Sequence, residues 1–173
     1  MDATASRPPD RRYSKLHFIL ESADDDKARI EHFFESAEKA KAKIVIPMPA
    51  VAEYLVGADI AAVETFNRLE KKAFVWIAPF DRAAAFECAQ LDRAAIGGGD
   101  KKDGAQAPWQ KIKIDRQIVA TGKACGATLI ISADEGVRNN ALRVGMIAKT
   151  IQELELPIGA RQTRLEYDVL PNN

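Results

Sequence analysis

Residues 111–138, KIKIDRQIVATGKACGATLIISADEGVR, decide how this chain is read. Asp115 stands at the start of a predicted helix over 114–126, which Gly126 ends. The apolar run ATLIISAD (127–134) reads as a buried strand, and Asp134 closes it ahead of a short helix over 135–145. A helix, a strand and a second helix in this order form part of a βα-type unit. If the strand is parallel to its neighbours, the helix that leads into it begins at the carboxyl edge of the sheet, the edge to which Asp134 belongs. The two aspartates are then brought to one rim.

Working outward, helices and short apolar strands alternate. Helices are expected over 24–42, 49–58, 59–73 and 81–95, the last with Asp81 as its N-cap. Strands are expected over 43–47, 74–80 and 146–150, and a last helical turn over 151–156. Residues 12–23, RYSKLHFILESA, fit either a helix or a short buried strand, and pattern alone does not choose. Residues 1–12 are irregular, 97–110 form a flexible glycine- and lysine-rich loop, and 157–173 extend the domain, with RLEYDVL (164–170) a candidate edge strand. Short apolar strands between helices imply a parallel sheet covered on both faces, a three-layer α/β/α domain. In such sheets ligands gather at the carboxyl ends of the strands.

Composition sets the outer bounds. The 173 residues suit one domain, 1–173, and 47% apolar with 29% charged residues describe a globular chain. No stretch is long and apolar enough for a membrane span, and MDATASRPPDRR has no apolar core of a secretory signal, so a cytoplasmic protein with no membrane partner is expected. Cys88 and Cys125 are expected to be small buried residues and not a disulfide framework. The formal net charge is zero, which argues against a dedicated non-specific nucleic-acid binder, yet Lys101, Lys102, Lys111, Lys113 and Arg116 cluster in one segment.

The chemistry follows by elimination. There is no P-loop and no nucleophile elbow, and Gly97, Gly98 and Gly99 fall in a long loop after a helix. His17 and His32 lack zinc-ligand spacing. Acidic residues near strand ends remain: Glu53, one turn into the helix after strand 43–47, with Asp115 and Asp134. Each also has a plain reading, as N-cap, turn or solvated helix residue. Three carboxylates on one rim repel one another, and a hard divalent cation offsets that cost. Phosphodiester hydrolysis is the chemistry that suits such an ion.

Three segments resemble the PIN-domain ribonuclease family: IVIPMPAVAEYLVG (44–57), KIDRQIVATGKACGATLIISAD (113–134) and GMIAKTIQEL (145–154), with APFDRAAAFECAQL (78–91) also similar. The resemblance spans about Ile44 to Leu154. It implies a five-stranded parallel sheet between helices and Mg²⁺- or Mn²⁺-dependent cleavage of single-stranded RNA. It also implies a toxin held by an antitoxin protein, and a homodimer. The implied metal ligands are Glu53, Asp115 and Asp134, with Ser132 supporting a carboxylate. Lys111, Lys113 and Arg116 are expected to steer RNA phosphates, with Trp109 stacking a base or packing on the core. The family's first strand, central in the sheet and ending in aspartate, is missing or atypical here: only Met1 precedes Asp2, whose DAT continuation makes it the fourth candidate metal ligand. Glu21 after KLHFIL, or a chain that starts late, are the alternatives. A non-catalytic PIN-like module that binds RNA or a protein is the rival reading.

Overall fold

The structure, a computed structural model, describes residues 24–159. Asp2, Glu21, His17, the 1–12 segment and the candidate edge strand over 164–170 lie outside the described residues. The elements in chain order are α1 (Asp24–Lys39), β1 (Ile44–Pro47), α2 (Met48–Gly57), α3 (Ile60–Glu70), β2 (Val75–Ala78), α4 (Arg82–Gly97), α5 (Trp109–Ala124), β3 (Leu129–Ile131), α6 (Glu135–Arg143) and β4 (Ile147–Lys149), followed by a 3₁₀ turn over Ile151–Glu153. The fold is mixed α/β with short parallel strands. No helix among the described residues is long and apolar enough to cross a membrane.

Both strand pairings are parallel. In the first, Ile44 sits opposite Val75 and Ile46 opposite Ile77; in the second, Leu129 sits opposite Ile147 and Ile131 opposite Lys149. Among the described residues these are two separate two-stranded sheets, β1–β2 and β3–β4, where a single central sheet is expected from the sequence. Each sheet carries its own apolar cluster. Ile46, Val51, Tyr54, Ala62 and Phe66 pack around β1–β2. Leu91, Ile118, Val119, Val137, Ala141 and Met146 pack around β3–β4.

Helix α5 joins the two halves. It packs along α4 and α6 and also touches α2 and β1. Its buried residues, among them Ile112, Asp115, Arg116, Ile118, Val119 and Ala120, cover more than one side, as expected of a helix enclosed by neighbours. The helix begins at Trp109, behind Pro108 as N-cap, and not at residue 114. Proline at the mouth of a helix is compatible with its start, because no intrahelical N–H is needed there. Asp115 therefore lies nearly two turns inside α5 and is not its cap.

The segment between α4 and α5 is cross-tied. The Asp100 carboxylate accepts hydrogen bonds from the backbone N–H of Lys102 (2.9 Å) and Gly104 (2.8 Å). Lys102 Nζ donates to Ala107 O, and Arg143 pairs with Asp103 at 2.7 Å. Gly104 takes φ +76°, a conformation side chains disfavour.

Candidate functional site

The site is built where α5, the end of β3 and the start of α6 meet. Asp115 points into this junction and is 2% exposed. Asp134 follows β3 and caps α6, with its Oδ1 accepting the Val137 N–H at 3.0 Å. The geometry gives Asp134 the capping role and leaves its other oxygen for a second contact. Its second oxygen, Oδ2, is turned toward Asp115, and both carboxylates receive the same cation. Lys111 Nζ lies 2.7 Å from Asp115 Oδ2 and 2.7 Å from Asp134 Oδ2. Burial pulls the lysine's affinity for its proton down, but hydrogen bonds and charge attraction from both aspartates outweigh it, and the ammonium ends above its ordinary range.

The backbone around Asp134 is fixed at several points. Ser132 Oγ accepts the Asp134 N–H at 3.1 Å, and Arg138 Nη1 donates to Ser132 O at 2.8 Å. Ser132 thus holds the main chain of Asp134. Gly136 sets the closeness of the junction: a Cβ there would lie 2.6 Å from Asp115 Oδ2 and 3.0 Å from Asp134 Oδ1. Any side chain at 136 would force the carboxylates or the first turn of α6 to shift.

The expected site residues are placed unequally. Asp115 and Asp134 meet. Glu53 lies half-buried on α2, and among the described residues no three His, Cys, Asp or Glu side chains converge to hold a metal. The shared Lys111 contact joins two of the three expected carboxylates, Asp115 and Asp134.

The basic cluster divides as well. Lys111, expected to meet phosphate, binds the aspartates. Lys113 is exposed. Arg116 is turned inward, 1% exposed, and does not present itself to a phosphate. Its Nη1 meets Asp92 Oδ1 at 2.6 Å, its Nη2 donates to Lys101 O at 2.9 Å, and its guanidinium lies over Trp109 at 5.6 Å. Lys101 Nζ lies 5.2 Å from the same ring. Two cations thus flank Trp109, which is half-buried at the head of α5.

Two of these features went unread in the sequence. The Lys111–Asp115 pair has the four-residue spacing of a helical ion pair, but a helix taken to begin at 114 leaves Lys111 outside it. Gly136 was visible as a glycine inside a helix, which costs about 1 kcal/mol against alanine and so marks a demand for space. The two cysteines are half-buried and unpaired by disulfide, not fully buried as expected. Burial, with the nearby Asp92 charge for Cys88 and Asp81 for Cys125, holds both thiols above their ordinary range, which disfavours a thiolate nucleophile.

The donor set suits a hard cation. Two carboxylates already share one ammonium, which stands in for a positive ion, and Mg²⁺ is commonly held by one or two carboxylates with water completing its shell. No protein-family model matches this chain, and no curated protein matches it at a significant level, so what the site can do is argued from its own residues.

Proposed function

We propose that the chain is a divalent-metal-dependent endoribonuclease of PIN type acting on single-stranded RNA, with the described α/β elements belonging to a three-layer domain. The observation that supports this best is the convergence of Asp115 Oδ2 and Asp134 Oδ2 on one cation at 2.7 Å each. Asp115 and Asp134 would hold Mg²⁺ or Mn²⁺, with Glu53 on α2 and Asp2 as the further candidate acids. When bound, such an ion supplies Lewis-acid stabilisation of a phosphoryl oxygen and lowers the pKa of an attacking water.

The chain's own residues do the rest. Asp115, buried and backed by Gly136, keeps its carboxylate in place. Asp134 is positioned by its cap bond to Val137 and by Ser132. Exposed Lys113 offers positive charge to an RNA backbone on the same helix. The same reading makes the protein a cytoplasmic toxin restrained by an antitoxin and able to form a homodimer, in keeping with the family that its sequence resembles.

The test is direct. Labelled single-stranded RNA incubated with the protein is expected to be cut with Mn²⁺ and left intact with EDTA. Asp115→Asn is expected to lower cutting roughly 100-fold or more. Cutting that persists in EDTA, or in Asp115→Asn, overturns the reading.

One observation favours a second reading. Lys111 already supplies a positive charge to both aspartates. In a non-catalytic RNA- or protein-binding module that lysine would be a permanent structural counter-charge. RNA bound without cutting, with unchanged affinity in Asp115→Asn, is the result that selects it.

A further inference from the structure

In the junction of α5, β3 and α6, the two carboxylates and the lysine differ in their freedom to move. Asp115 is 2% exposed, and its Oδ2 faces the backbone of Gly136 so closely that a Cβ there would lie 2.6 Å away. Asp134 uses its other oxygen to cap α6, which ties the carboxylate to the helix. Neither acid can turn away without breaking a packed contact or a cap. Lys111 is different. It sits in the first turn of α5, its side chain is 40% exposed, and a flexible four-carbon stem carries its charge. The anions are held by packing and a helix cap, while the cation sits at the end of a long, partly exposed stem.

We propose that Lys111 is a tethered counter-ion that occupies the Asp115–Asp134 pair in the metal-free protein and is displaced when a divalent cation binds there. This rests on the metal-dependent reading above and adds a regulatory step to it. The lysine keeps two close carboxylates assembled while no ion is present, and it sets a threshold of divalent ion below which the site stays closed. Ammonium and divalent ion cannot share the position, because both draw on the same two Oδ2 atoms. Once released, the side chain reaches solvent with its charge intact.

Mn²⁺ binding to the full chain, followed by the loss of the free-ion electron paramagnetic resonance signal, tests this without RNA. Lys111→Met is expected to bind Mn²⁺ roughly 10-fold or more tighter than wild type, the scale on which a neighbouring charge alters occupancy of a carboxylate. Lys111→Arg is expected to bind no tighter than wild type, and Asp134→Asn to lose the binding. If Lys111→Met fails to fold, Lys111→Gln replaces it with the same expectation. Equal or weaker Mn²⁺ binding in the neutral variants overturns the displacement while leaving a metal site in place. No Mn²⁺ binding in any variant overturns both the displacement and the ribonuclease reading. Tighter binding in Lys111→Met with no cutting of RNA upholds the displacement and removes the ribonuclease reading alone.

Discussion

Gly136 concentrates the steric demands of the junction in one missing methyl group. Alanine would favour helix α6 by about 1 kcal/mol over glycine. Here the added Cβ would meet Asp115 Oδ2 at 2.6 Å, and Asp115 is itself 2% exposed. The clash is expected to win. Gly136→Ala should lose about 1–3 kcal/mol in urea denaturation, the usual cost of overpacking, and should weaken Mn²⁺ binding as the carboxylates part. A variant as stable as wild type would mean that Asp115 moves freely. A second residue, Asp100, gives a pH signature. Backbone N–H donors of Gly104 and then Lys102 hold its carboxyl below the ordinary value of 3.8. Because its folded-state value is depressed, its hold on the turn is present above 3.8 and is lost as pH falls through the depressed value. The Gly104 amide resonance is expected to titrate with a midpoint below 3.8; a midpoint at or above it would deny the bond. At this scale the sequence was legible for Asp134, which follows a strand and caps a helix; for Asp115 it gave the helix but not the place within it. It was not legible for Lys111, because a lysine in a basic cluster looks the same whether it faces solvent or two aspartates.

Besides the apolar packing of Leu91 with Ile118 and Val119, Arg116 is a polar clamp in the join between α4 and α5. Its guanidinium reaches Asp92 on α4, the carbonyl of Lys101 in the connecting segment, and the face of Trp109. Truncation leaves a carbonyl and a carboxylate without their buried partner. Asp92 keeps some access to water, so the loss is smaller than for a fully enclosed pair. Arg116→Ala is expected to cost about 2–4 kcal/mol and to speed proteolysis between residues 98 and 108. Lys at this position is not expected to restore stability, since one ammonium cannot serve two planar contacts. Arg116→Ala with wild-type stability and unchanged proteolysis would dismiss the clamp. The elements themselves were largely legible. Asp59 and Asp81 cap α3 and α4 through the Ala62 and Ala84 N–H groups, and Gly126 and Gly145 close α5 and α6 with positive φ. The start of α5 was not, because the polar run ahead of residue 114 hides the helical stripe, and only Pro108 marks the beginning.

At the scale of the molecule, alternation of helix and apolar strand was enough to read a parallel α/β fold, because parallel strands need helical crossovers. The number of strands meeting in one sheet was not readable in the same way. Among the described residues β1–β2 and β3–β4 are separate pairs, and pairing is a property of distant segments that local periodicity does not carry. Two short strand pairs have little independent stability. What makes them one body is α5, which lines the β3–β4 cluster with Ile118 and Val119 and reaches β1 and α2. If α5 is the common wall, both halves should lose protection together when it is weakened. Ile118 is 5% exposed, and Ile118→Ala is expected to cost about 2–5 kcal/mol. In hydrogen exchange, the amides of Val119 and Ala120 should be among the slowest and should open only with global unfolding. In Ile118→Ala the amides of β1–β2 and β3–β4 should speed up by similar factors. Faster exchange confined to β3–β4, with β1–β2 as protected as in wild type, would show two units of independent stability and would remove α5 as the element that holds the Asp115–Asp134 junction against the rest of the fold.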